Sequence, residues 1–211
     1  MLSDKQKDLI TELVNVYIGH AASLLSDMLS QPIALMVPEV ELIKVTNIER
    51  LNQIYPGVFS PGHIISSSLQ FGPDFRGKAF LIFPAQQAKI LVNSCVGQSL
   101  DGWDLSSSNL EDTDFDVLKE IGNVILNAVI GQFGDLMDSN LDYSVPEIEL
   151  IHVSAAEQQE FLQQHLYMLV FHTSFSLSEI QVKGVILIAL TMNSVSELIN
   201  KIDEMLEEAY E

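Results

Sequence analysis

Apolar positions along this chain follow two rhythms, one helical and one strand-like, and the whole succession runs twice. From Ser3 to Ser30 the apolar residues return at helical spacing, with Ile10, Leu13, Tyr17, Ala21, Leu24, Leu25 and Met28 on one arc of about 120°. Ser3 is placed to cap this helix, Asp4 sits favourably against its dipole, and Pro32 stops it. The stretch "IALMVPEVELIKV" then turns β-rich and is broken by Pro38, which predicts an edge strand or a bulge there. One or two helical turns are expected over 47–55. Next, "GHIISSSLQFGPDFRGKAFLIF" reads as two strands around the turn signal "GPDFRG", and "PAQQAKILVNSCVG" as a helix opened by Pro84 and closed by Gly97.

Residues 98–112 are polar, Ser-rich and aperiodic, as expected of a linker. Beyond them the order starts again. A long helix is expected over 113–138, then a strand in "SVPEIELIHV" holding Pro146, and a polar segment near 154–164 with helical character. Strands at 167–176 and 180–190 follow, then a last helix over 194–208. Both halves, 1–97 and 113–211, read α-β-α-β-β-α, the mark of an internal duplication. Asp8, Glu12, Asn15 and Pro38 recur as Asp116, Glu120, Asn123 and Pro146, each 108 positions on, and Gly77 recurs as Gly184 after 107. The expected fold is one α+β domain over 1–211 with pseudo-two-fold halves. They share a continuous β-sheet, and two long helices carry the repeated polar residues.

The chain is 47% hydrophobic over 211 residues, enough for a substantial core. No uninterrupted apolar run approaches the roughly 20 residues of a bilayer span, and the opening "MLSDKQKD" lacks the order of a secretory signal. A single cysteine, Cys95, excludes an internal disulfide and suits a reducing compartment, so a cytoplasmic location is expected. Ten basic against 29 acidic residues, net −19, argue against nucleic acid and anionic membrane as partners.

Within that frame the repeated polar residues stand out. At about 100° per residue, Asp8, Glu12 and Asn15 lie within about 60° of one another, opposite the apolar arc, and Gly19 and Ser26 continue the strip. On the second helix Leu118, Ile121, Ile125, Val129 and Leu136 take the apolar side, and Asp116, Glu120, Asn123, Asn127 and Gly134 the other. Both pairs are thus expected on solvent faces, and the small residues beside them would let another molecule approach the helix backbone. Four Glu-x-x-Asn pairs occur where 16 Glu and 10 Asn predict roughly one by chance. The copies at Glu49/Asn52 and Glu197/Asn200 lack the preceding Asp and the following Pro; the copies at Glu12 and Glu120 have both. Other chemistry is sparse. His20, His63, His152, His165 and His172 show no metal-ligand spacing, Cys95 reads as a small apolar side chain, and Trp103 is assigned no chemistry. There is no Gly-rich phosphate loop and no nucleophile elbow.

The segments "DLITELVN" with Pro38 and "DVLKEIGN" with Pro146 resemble the twin signature of the CheC phosphatases of bacterial and archaeal chemotaxis, whose relatives include CheX and FliY. The resemblance covers nearly the whole chain, including its length and duplicated order, and is to free-standing CheC with two active-site motifs. It implies hydrolysis of the phospho-aspartate of the response regulator CheY. Glu12 and Glu120 would pair with the partner's active-site Lys, and Asn15 and Asn123 would orient a water for in-line attack. Asp8 and Asp116 would support the two Glu. The Mg²⁺ of the reaction would sit on the regulator, with no metal or cofactor of this chain's own. The receptor-modifying deamidase CheD is a further implied partner. The alternative is a non-catalytic module that sequesters CheD or a phosphorylated regulator.

Overall fold

A computed structural model describes residues 2–44, 62–73, 75–97, 110–153, 167–177 and 180–208. Helix α1, Asp4–Leu29, begins at Ser3, whose hydroxyl accepts the Gln6 N–H while the Gln6 side chain accepts the Ser3 N–H, a complete capping box. It ends at Ser30 in the left-handed region, φ 52°. Strands β1 (Ile33–Met36), β2 (Val40–Lys44), β3 (Gly62–Gly72) and β4 (Gly77–Pro84) follow, then α2 (Ala85–Cys95). The second half runs α3 (Asp112–Leu136), β5 (Asp142–Tyr143), β6 (Glu147–Val153), β7 (Tyr167–Leu177), β8 (Ile180–Leu190) and α4 (Met192–Glu208). The segments 47–55 and 154–164, residues 98–109 of the linker, Trp103 and His165 lie outside the described residues.

The eight strands form one antiparallel sheet, so the fold is α+β with a continuous sheet as expected. The two halves are interleaved rather than set side by side. Strands β1 and β2 pair with β7 of the second half, and β5 and β6 pair with β3 of the first. At the centre β4 pairs with β8, and Phe80 stands opposite Leu187, its own counterpart 107 positions on. The pseudo-dyad passes between these two residues. Each half supplies the other's outermost strand, so neither can complete the sheet alone.

Prolines shape both outer strands. Met36 pairs with Ser174 and Val40 with Phe171, so residues 37–39 put one extra residue against β7. Tyr143 pairs with Phe71 and Glu147 with Ser68, so 144–146 do the same against β3. Both are bulges on edge strands, where a residue without an N–H costs no ladder bond. Pro146 therefore lies just before β6 and not inside it.

All four helices pack on one face of the sheet through Val14, Ile18, Leu91, Ile125, Val129 and Leu198 among others. An aromatic series crosses this core: Phe71, Phe75, Phe133 and Phe171, with ring centroids 5.7, 6.0 and 6.4 Å apart in turn. The reverse face carries its own buried cluster, which includes Phe80, Met168 and Leu187. Burial on both faces explains why β3 is buried continuously from Ile64 to Leu69. The two repeated glycines make room for rings. A Cβ at Gly77 would lie 2.4 Å from the Phe71 ring, and one at Gly184 2.5 Å from the Phe83 ring.

Helix α1 is rotated relative to the expectation. Its buried stripe is Ile10, Val14, Ile18, Ala21, Ala22 and Leu25, whereas Leu24 and Met28 are about half exposed and Leu13 and Tyr17 half-buried. The packed face is turned by about 45° from the predicted arc, because α1 packs against β1, α3 and α4 together and not against one surface. α1 also has the length and mean hydropathy, 1.2 over its most apolar 18 residues, that a membrane-crossing helix would have, which the run-length reading did not register. Here its apolar stripe lies on the sheet.

Cys95 is buried at the end of α2, and burial pushes its thiol up to about 12. The thiolate is the reactive form. At pH 8 the folded protein is therefore expected to resist iodoacetamide and to label readily once unfolded in urea. Labelling of the folded protein at the rate of a free thiol would contradict this.

Candidate functional site

The first motif occupies one strip of α1. Asp8 and Glu12 are exposed and Asn15 is half-buried. The rotation of α1 accounts for the difference: it moves Asn15 from the far side to the flank of the packed face, within reach of the bulge between β1 and β2. There the Asn15 amide bridges the backbone N–H and C=O of one residue, Val37. Asn15 Nδ2 donates to the Val37 carbonyl at 2.7 Å, and the Val37 N–H donates to Asn15 Oδ1 at 2.9 Å. Val37 itself is fully buried. Asp8, Glu12, Asn15 and Pro38, the four residues that recur in the sequence, line one open cleft of about 430 Å³, together with Lys7 and Glu39. Carboxylates outnumber cations around it, which favours a cationic visitor. Val16, one turn beyond Glu12, is 65% exposed and adds an apolar contact to the rim of the strip.

The second motif lies on α3, where Asp116 and Glu120 are exposed and Asn123 is half-buried. Here the Asn123 carbonyl oxygen accepts from Asn127 Nδ2 at 2.9 Å, one turn along the same helix. Asn127 Oδ1 is buried and has no hydrogen-bond partner among the described residues. Leu118, Ile121, Ile125, Val129 and Leu136 are buried as expected, but Gly134, expected on the polar side, is buried too. The chain folds back over it, with the Ser139 N–H donating to the Gly134 carbonyl at 2.9 Å. The two helices touch: the Tyr17 hydroxyl donates to Asp135 at 2.6 Å, and this bond raises the Tyr17 pKa.

No protein-family model matches the chain. Among characterised proteins, it is 27% identical over 150 residues to CheC of Bacillus subtilis, a CheY-P phosphatase, taking in 71% of this chain and 68% of that protein. It is 23% identical over 153 residues to the flagellar motor switch phosphatase FliY of the same organism, taking in 72% of this chain and 38% of FliY. Among solved structures, FliY of Thermotoga maritima superposes with a TM-score of 0.74 at 17% identity, covering 97% of this chain and 98% of that one. FliM in the FliG–FliM complex of Helicobacter pylori shares the fold with a TM-score of 0.64 at 10% identity, covering 94% and 100%.

These likenesses to CheC and FliY support the resemblance that the sequence carries. The repeated Asp, Glu, Asn and Pro are present in both copies, but several residues around them carry no sequence signal. The partner of Asn15 is the backbone N–H and C=O of a residue 22 positions away. Gly122 stands where the first copy has the buried Val14, and α3 approaches β3 so closely there that a Cβ would lie 2.3 Å from Ser67 Oγ. The only hint in the sequence is a glycine within an otherwise apolar stripe. Lys89 and Asp114 form a buried ion pair at 2.6 Å that ties α2 to the start of α3, and the sequence reading did not link them. His63 and His152 lack ligand spacing in sequence, yet β3 and β6 set their rings 4.8 Å apart. Among the described residues, no group of three or more His, Cys, Asp or Glu converges to hold a metal.

Proposed function

We propose that this chain hydrolyses the aspartyl phosphate of a CheY-type response regulator at two sites, Glu12/Asn15 and Glu120/Asn123. The observation that carries the reading is the cleft in which Asp8, Glu12, Asn15 and Pro38 meet. An exposed Glu at its mouth suits a charge-assisted hydrogen bond to a lysine of the regulator, which sets the register of docking. The half-buried Asn suits the next step. After pairing with Val37 its amide keeps one N–H and one lone pair, enough to hold a single water in a fixed orientation.

In-line attack forms the bond from water oxygen to phosphorus as the bond from phosphorus to the aspartyl oxygen breaks. Free phosphate leaves and the regulator's carboxylate is restored. Mg²⁺ on the regulator neutralises the phosphoryl charge, so this chain contributes positioning. A neutral amide does so without repelling the phosphoryl oxygens, as a carboxylate would. A cytoplasmic location goes with such a partner.

A second reading, a docking module that holds a regulator or CheD without chemistry, draws on the likeness to FliM, which forms a complex with FliG in H. pylori. Decay of CheY-P separates the two. The protein is expected to accelerate the decay, and Asn15→Ala with Asn123→Ala together to abolish the acceleration while binding persists. Orientation supplies up to roughly 7–11 kcal/mol in favourable cases, so losing both amides should bring the rate back to that of the regulator alone. If the double variant still accelerates decay, the amides are not the catalytic groups.

A further inference from the structure

The two motifs share Asp, Glu, Asn and Pro at the same spacing, but their asparagines are held in different ways. The helices repeat at 108 positions, Asp4 to Asp112 at their starts, whereas the bulges repeat at 107, residues 37–39 to 144–146. Proline consequently takes the second place in the first bulge and the third in the second. Pro38 is exposed and Pro146 buried; before them, Val37 is fully buried and Val145 is 74% exposed. The place that Val37 holds in the first bulge belongs to Ser144 in the second. The Ser144 N–H is already given to the Gln70 carbonyl at 2.9 Å, and Pro146 has no N–H to give. Asn123 is instead bonded to Asn127, where the first helix has Gly19.

This difference decides how well each amide is aimed. The Val37 N–H and C=O are a donor and an acceptor fixed in place by the buried bulge backbone. Paired with them, Asn15 cannot turn over without placing donor against donor and acceptor against acceptor, so its orientation is set before any partner arrives. An Asn–Asn pair joined by one bond has no such constraint. If both amides turn over, one hydrogen bond still forms in the opposite direction, and the buried Asn127 Oδ1, partnerless among the described residues, becomes its acceptor. Asn123 thus has two orientations with equal hydrogen-bond counts, only one of which presents the correct atoms to the water.

Building on the phosphatase reading, we propose that the two sites are unequal: the α1 site is pre-set and carries the larger share of turnover, and Asn127 is the positioning residue of the slower α3 site. A site competent in only half of the molecules works at roughly half the rate of a pre-set one.

The test uses the full chain and CheY-P of the same cell, phosphorylated with acetyl phosphate and desalted, with decay followed at increasing CheY-P. Asn15→Ala is expected to remove at least about two-thirds of the maximal rate and Asn123→Ala about one-third or less, as a twofold inequality requires. In the Asn15→Ala background, Asn127→Ala is expected to lower the remaining maximal rate further without changing the half-saturating CheY-P concentration. Equal losses from the two single variants, or a larger loss from Asn123→Ala, would overturn the inequality. An unchanged maximal rate, or a change only in half-saturation, would overturn the role given to Asn127. Activity surviving in the double Asn variant would instead sink the phosphatase reading itself, so the two failures are distinct.

Discussion

Replacing Lys89 by methionine is expected to destabilise the protein by about 3–5 kcal/mol, because it leaves a carboxylate buried without its cation. Lys89 and Asp114 are 8% and 6% exposed, and their charged atoms are 2.6 Å apart. Asp114 has a second task, since its carboxylate accepts the Glu111 N–H at 2.7 Å within the capping box that starts α3. The pair therefore joins α2 to the N-terminus of the helix that carries Glu120 and Asn123. Replacing both partners with apolar residues should recover much of the loss, since no unpaired charge remains, with roughly 1 kcal/mol still missing for the cap. Urea unfolding of Lys89→Met and of Lys89→Met/Asp114→Leu measures both. A single variant within about 1 kcal/mol of the parent would show that the pair is not buried in solution.

Gly122→Ala and Gly131→Ala should change stability in opposite directions, although both replace a glycine inside α3. Alanine is the better helix former by about 0.8–1 kcal/mol, so an unobstructed glycine gains from the change. Among the described residues, nothing lies within 4 Å of a Cβ at Gly131. At Gly122 the new Cβ would lie 2.3 Å from Ser67 Oγ and 2.7 Å from Ser67 Cβ, and the Cβ cannot swing away because it is one bond from the β3 backbone. Helix and sheet must separate there, for a loss of about 1–3 kcal/mol in place of the gain. Gly122 lies between Glu120 and Asn123, so the same displacement should also slow the α3 site. Equal signs for the two variants in thermal unfolding would refute the close approach of α3 to β3.

Much of the fold was legible because its signals are local. Ser3 and Gln6 cap α1 through atoms three residues apart, Pro84 opens α2, and a strand proline can sit only where no ladder bond is required, which placed an edge strand or bulge at Pro38. The rotation of α1 was not legible. Leu13, Leu24 and Met28 are as apolar as Val14 and Ile18, and only the surfaces of β1, α3 and α4 select which of them is covered. Nor was the interleaving of the halves, since Ile33 pairs with Leu177 and Gly62 with Val153 across long separations. Asp8, Glu12, Asn15 and Pro38 recur at 108, but the bulges around the two prolines recur at 107, so the helices and the bulges do not share a single period.

The sequence alone determined that an acid and an amide stand on one strip of each long helix, because residues three and four apart share a helix face whatever packs behind it. Only the tertiary structure decided what each amide holds. Asn15 meets the backbone N–H and C=O of Val37 and Asn123 meets Asn127, because a one-residue offset between helix and bulge changes which backbone N–H is within reach. Local spacing sets a side chain's direction; the partner it finds depends on strand register, which is fixed by contacts with the other half of the chain.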